Sequence, residues 1–237
     1  MSHPATLLVL PALAALAGLA IGFRTRRVVA RHSGTGGEPH APRPPAGAVE
    51  GVTAAVLAAL ALRALWPDAP AGPGLPGTEL TPAGRAAELL AFGWLAVVAV
   101  ALSFVDAAVH RLPDRLTLAA YLGTAAPLAV SALADGRLGD LLGAGLGGLA
   151  LAGFYLALFL INPAGMGFGD VKFAASLGTA LGWLGWDTLV AGAFLGLLAG
   201  GLYGAVLMAL RRAGRKSEIP FGPFMAAGTL AAVLTAL

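Results

Sequence analysis

Long apolar runs alternate with short polar links along this chain, and the runs set its architecture. They cover residues 5–23, 49–66, 86–106, 116–133, 141–161, 173–186, 189–210 and about 219–237. Seven of them hold 18 or more residues, enough for a helix across a bilayer. The sixth is short: at 1.5 Å per residue, 14 residues reach about 21 Å against a hydrocarbon core of about 30 Å. Its helix must extend beyond those limits, or Asp170 lies at some depth. The seventh run carries Gly192, Gly196, Gly200 and Gly204 on one face, which predicts a close helix–helix contact. The pattern predicts an all-α fold: a polytopic membrane protein of about eight transmembrane helices.

Composition strengthens that picture. Only 11% of residues are charged, against about 25% in a soluble domain. No cysteine is present, which excludes disulfides, thiolate zinc sites and cysteine nucleophiles. A pI near 9.8 comes from membrane-flanking loops, not from a basic nucleic-acid-binding domain. No basic residue precedes the first run, and Arg24, Arg26, Arg27 and Arg31 follow it. That order predicts a retained helix rather than a secretory signal.

Charge also orients the spans. With both termini on the outer side, twelve of the fifteen Lys/Arg face the cytoplasm: Arg24, Arg26, Arg27, Arg31, Arg43, Arg111, Arg115, Lys172, Arg211, Arg212, Arg215 and Lys216. Arg63, Arg85 and Arg137 fall elsewhere. The positive-inside bias selects this orientation. Segments 32–47 and 67–84, rich in Gly and Pro, read as an inner and an outer loop. His32 and His40 of the first read as solvated residues rather than metal ligands. Trp183 and Trp186 suit the outer interface. Asp68, Asp135, Asp140 and Asp187 read as solvated loop residues or helix caps in outer turns.

Two acids resist that treatment. Asp106 ends the third run, where the helix dipole disfavours an anion. Asp170 opens the sixth, behind the alternating glycines Gly165, Gly167 and Gly169. An N-cap is one reading of Asp170, but three glycines exceed what a cap needs. They permit unusual backbone angles and close approach by a second chain. The topology sets both acids on one side of the membrane. Two carboxylates converging in a partly dry site resist ionising together, so one acts as acid while the other acts as base toward a water. Aspartic peptide hydrolysis needs that pair, with no metal and no cofactor. Asp114, after Pro113, reads as the N-cap of the fourth helix. His110, four residues after Asp106, reads as an interfacial residue or a proton partner.

Three stretches then carry a resemblance. Asp106 with His110-Arg111-Leu112-Pro113-Asp114-Arg115-Leu116-Thr117, the Gly165-Met166-Gly167-Phe168-Gly169-Asp170-Val171-Lys172 segment, and Ile219-Pro220-Phe221-Gly222-Pro223-Phe224 resemble, in this order, segments of the prepilin peptidases. These type IV leader peptidases are intramembrane aspartic proteases of the GxGD type. The 64-residue interval between Asp106 and Asp170 also suits them. The likeness covers residues 86–237, with a fainter echo in 18–31.

The resemblance implies an aspartic endopeptidase that removes the short leader of a type IV prepilin-like protein at the cytoplasmic membrane face. Asp106 and Asp170 would be catalytic. Gly165, Gly167, Gly169, Lys172, Pro113, Asp114, Pro220, Gly222 and Pro223 would bind substrate or shape the site. It implies a two-helix region over residues 1–84, with a short cysteine-free cytoplasmic loop at 24–47, and a six-helix peptidase core over 85–237. The implied partners are a prepilin- or pseudopilin-like substrate and the lipid bilayer, with a homo-oligomer left open and no nucleic acid. Recognition would rest on the substrate's apolar helix, since cytoplasmic arginines do not attract a basic leader. Bifunctional members carry a larger loop with two CxxC zinc pairs and also N-methylate the product. Without cysteines, methyl transfer is not expected here. The rivals are another GxGD intramembrane protease and a proton-coupled carrier that uses the two acids as ion sites. No internal repeat of the transporter kind is visible.

Overall fold

The computed structural model describes residues 4–33, 44–65, 80–163, 166–211 and 220–235. These form eight helices and no strand: α1 Pro4–Ser33, α2 Ala48–Leu65, α3 Pro82–Val109, α4 Asp114–Asp135, α5 Leu138–Ile161, α6 Phe168–Leu184, α7 Trp186–Ala209 and α8 Gly222–Thr235. By length and composition α1, α3, α4, α5 and α7 can each cross a membrane. The remaining three are shorter, α6 reaching about 26 Å at 1.5 Å per residue over its 17 residues. The chain is therefore an all-α polytopic membrane protein. Gly165, His40, Arg43 and the basic residues 212–216 lie outside the described residues.

Several helix limits differ from those the apolar runs predict. α1 continues past Phe23 to Ser33, so Arg24, Arg26, Arg27 and Arg31 ride on a helix rather than in the expected loop. Arg26 pairs with Glu50 of α2 at 3.3 Å. α6 begins at Phe168, five residues before the apolar run, which lengthens that element but leaves it short of the roughly 30 Å core. It ends at Gly185, whose φ of +121° permits an abrupt turn into α7 that side-chain-bearing residues rarely adopt.

Sequential pairs pack most extensively: α1 with α2, α3 with α4, α5 with α6, α7 with α8. α6 also meets α3, α4, α7 and α8 and is buried along most of its length, so it is the centre of the bundle. Small residues let its neighbours close in. A methyl on Gly178 of α6 would fall 2.5 Å from the Gly147 carbonyl oxygen of α5. The glycine face of α7 makes the contact its spacing predicts. A methyl on Gly228 of α8 would fall 2.6 Å from the Gly192 carbonyl oxygen.

A charged cluster ties four helices near the start of α3. Arg137, 6% exposed, pairs with Glu88 of α3 and donates from Nε to Asp140 Oδ2 at 2.6 Å. Its guanidinium stacks over Trp183 of α6 at 4.7 Å. Trp183 Nε1 donates to Glu88 Oε1 at 3.2 Å, and Ser131 Oγ of α4 donates to the same oxygen at 3.4 Å. Trp183 is fully buried, so it is a core hydrogen-bond donor and not the interfacial anchor expected of it. Trp186 is exposed, as expected. Asp140 is no solvated loop acid either; it neutralises a buried cation. Asp135 accepts from the Thr81 N–H at 2.9 Å and so ties the end of α4 to the start of α3.

Removing one partner of a buried ion pair leaves the other charge uncompensated, at about 3–5 kcal/mol. Glu88→Ala should therefore lower the thermal midpoint of the purified protein markedly. Glu88→Gln, which keeps acceptors for Arg137 and Trp183, should lower it much less. Equal losses in thermal melts would show that the lost charge, and not the hydrogen bonds to Glu88, holds this end together.

Candidate active site

Asp106 and Asp170 are both buried, at 4% and 6% exposure. They come from the last turn of α3 and the first turn of α6, and each lies within electrostatic reach of the other. Each is held by a backbone N–H from a neighbouring start of helix. Gly222, the first residue of α8, donates its N–H to Asp106 Oδ2 at 2.9 Å. The positive end of α8 thus offsets the unfavourable dipole of α3. Gly167 donates its N–H to Asp170 Oδ2 at 3.1 Å. Asp170 is therefore not the cap of α6. It is the third helical residue, reaching back to the N–H of the capping glycine. Its second oxygen, Oδ1, is buried and accepts no bond from a described residue.

The glycines divide in role. Gly167 has φ −80° and ψ 147°, and Gly169 also has no positive φ. Neither supplies the unusual backbone angle that the sequence suggested. Gly169 is a packing glycine: a methyl there would fall 2.7 Å from Leu112 Cβ in the α3–α4 link. At Gly167 a methyl meets no described atom closer than Asp170 Oδ2 at 3.6 Å.

The α3–α4 link is a short tether between the acid and the next helix. His110 is exposed and closes α3 in the left-handed conformation, φ 52°, donating its N–H to the Asp106 carbonyl at 2.8 Å. Histidine is among the residues enriched there. Pro113 caps α4 without a side-chain bond. Asp114 is the first helical residue rather than the N-cap, and it pairs with Lys172 Nζ at 2.7 Å. Both side chains are well exposed, so the pair contributes at most about 1 kcal/mol. Lys172 accordingly faces Asp114 and the Phe168 ring, 5.1 Å away. Pro220 and Pro223 flank Phe221 and Gly222 at the start of α8.

Sequence reasoning missed Tyr155 of α5. It is 1% exposed, lies within electrostatic reach of Asp170, and packs its ring 6.0 Å from Phe221. Its hydroxyl makes no hydrogen bond to a described residue. The available signal was one phenol in an otherwise apolar run, because a buried tyrosine hydroxyl normally seeks a partner. Among the described residues no three His, Asp or Glu side chains gather as a metal site.

Fold and site together define a polytopic helical membrane protein with a buried carboxylate pair at one end of its bundle. Residues 93–208 match the model of the type IV leader peptidase family. Similar proteins named prepilin leader peptidase/N-methyltransferase occur in three distant bacteria. The Aeromonas salmonicida protein is 37% identical over 155 residues, 62% of this chain and 48% of that protein. The Pseudomonas aeruginosa protein is 37% identical over 130 residues, 54% and 43% of the two chains. The Bacillus subtilis protein is 35% identical over 123 residues, 52% and 46%. The chain thus spans about half the length of the curated relatives it matches. No solved structure matches it.

The two glycines separate in a stability assay. Gly169→Ala gains about 1 kcal/mol of helix propensity but loses about 1–3 kcal/mol to the clash with Leu112, so it should melt earlier. Gly167→Ala should shift stability by only about 0.5 kcal/mol. A lower midpoint for Gly167→Ala than for Gly169→Ala would reverse these roles.

Proposed function

We propose that this chain is an aspartic endopeptidase of the cell membrane that cuts the short leader from type IV prepilin-like proteins at the cytoplasmic face. The observation that carries this reading is the pairing of two buried carboxylates from α3 and α6, both within the segment that matches the family model. The names of the relatives, prepilin leader peptidase/N-methyltransferase, supply the substrate class.

The chemistry follows from the pair. One carboxylate takes a proton from water, and the resulting hydroxide attacks the scissile carbonyl carbon. The other, protonated, gives its proton to the amide nitrogen as the C–N bond breaks. The acid and base roles belong to the coupled pair rather than to fixed residues. Gly167 offers its open face to the substrate backbone, and Asp170 Oδ1 is the free acceptor for the attacking water. Pro113, Pro220 and Pro223 shape the approach, and Lys172 with Asp114 holds α4 beside the start of α6.

The distribution of Lys and Arg supports a cytoplasmic site, with both termini outside. Both acids lie in terminal turns of their helices, whereas carrier ion sites sit near a bilayer midplane. That placement disfavours the carrier reading. We assign hydrolysis alone, because the chain has no cysteine to build the zinc-binding loop of bifunctional members.

Co-expression with a type IV prepilin tests this. The wild-type chain should shorten the substrate. Asp106→Asn and Asp170→Asn should each slow processing about a hundredfold or more, while Asp114→Asn keeps most of the activity. Normal processing by either Asn variant at Asp106 or Asp170 would remove the pair from the mechanism.

A further inference from the structure

α2 and α8 flank α3 and scarcely touch each other. α3 is therefore the floor of a furrow, about 370 Å³ in volume, walled by the other two helices. The walls are regular apolar stripes. Val52, Val56 and Leu60 line it from α2, and Ala226, Leu230 and Val233 from α8.

One end of the furrow adjoins the carboxylate pair. Its lining includes Ala107, the residue after Asp106, and Pro223, the residue after Gly222, whose N–H holds Asp106. From there the floor runs back along α3 to Phe92, about 22 Å at the helical rise, and the α8 wall runs to Val233, about 15 Å. A chain leaving the site along this path finds room for one face of roughly 10–15 helical residues.

The polar content of the furrow favours a peptide over an acyl chain. Ser103 and Thr229 are the two hydroxyl residues in its lining. Thr25, Thr53, Thr124, Thr179 and Thr235 bond back to their own helices. Ser103 and Thr229 make no hydrogen bond to a described residue. Hydroxyls spared from their own helix can bond a second helix across an apolar interface, but a lipid tail offers them nothing.

We propose that this furrow seats the apolar helix of the substrate, immediately C-terminal to the bond that is cut. The inference rests on the endopeptidase reading and deepens it. The furrow sets the depth and direction of the substrate helix, and its end at Ala107 and Pro223 delivers the first residue of that helix to the pair.

The test uses the full chain in membranes. The first probe is a type IV prepilin. The second is a short peptide that spans its cleavage junction but lacks the apolar helix. A photocrosslinking residue at Ala96 or Ala226, in an Asp106→Asn background that retains the substrate, should join to the apolar helix of the prepilin. A crosslinker at Leu149 on α5, far from the furrow, should not. Ala96→Trp and Ala226→Trp should raise KM for the prepilin about tenfold while changing turnover of the short peptide about twofold or less. Leu149→Trp should change neither. Crosslinks from the furrow to lipid or to a second copy alone would overturn the proposal, as would equal losses for the two probes. If crosslinking to the apolar helix succeeds while the wild-type chain cuts neither probe, the furrow stands and the endopeptidase reading fails.

Discussion

A carboxylate buried in the last turn of a helix sits against the local dipole, and burial within the protein denies it the water that would compensate. Asp106 meets this constraint through another helix: the first N–H of α8 points at its Oδ2 from 2.9 Å. That single contact explains much of the surrounding sequence. Gly222 must approach closely, since a methyl there would fall 3.0 Å from the same oxygen. The prolines at 220 and 223 limit where the helix can begin. The glycine contacts between α7 and α8 then fix α8 against its neighbour, so that its start stays on the acid.

The pair also depends on how α3 and α6 lie together along their length. They are joined near both ends. Glu88 and Trp183 bond near the start of α3 and the end of α6. Asp106 and Asp170 come together about 27 Å and 20 Å further along the respective helices. Arg137 reinforces the first junction with a charge and a stacked ring. Two helices pinned at one end by a buried ion pair have little freedom to slide at the other, and the bundle thereby sets the separation of the two acids from a distance.

Helices and acids were legible in the sequence because both are local signals. A long apolar run of about 20 residues reads as a span, and an anion at a helix C-terminus is conspicuous wherever the helix goes. The errors arose where tertiary contact decides. Trp183 and Asp140 carry the residue types of an interface and a loop, yet Arg137 draws both into the interior. Asp114 has the sequence of an N-cap, but Lys172, 58 residues away, holds its side chain instead. Tyr155 gave only a phenol in a greasy run. Its nearness to Asp170 follows from α5 and α6 packing antiparallel across a short link, which no spacing rule reports.

The glycines before Asp170 show how one motif can serve two physical ends. Gly169 is required by the molecule itself, since Leu112 occupies the space a side chain would need. Gly167 meets no such neighbour, yet its backbone N–H is what positions Asp170. A larger residue could donate that N–H as well. Gly167 is instead the N-cap of α6, a position where glycine outranks alanine and the branched apolar residues. The Cβ position of Gly167 lies 3.6 Å from Asp170 Oδ2, the other oxygen of that carboxylate accepts no bond from a described residue, and a furrow starts beside its partner Asp106. Under the proposed function these features would lie along the substrate, with extended backbone past Gly167 and then a helix along α3.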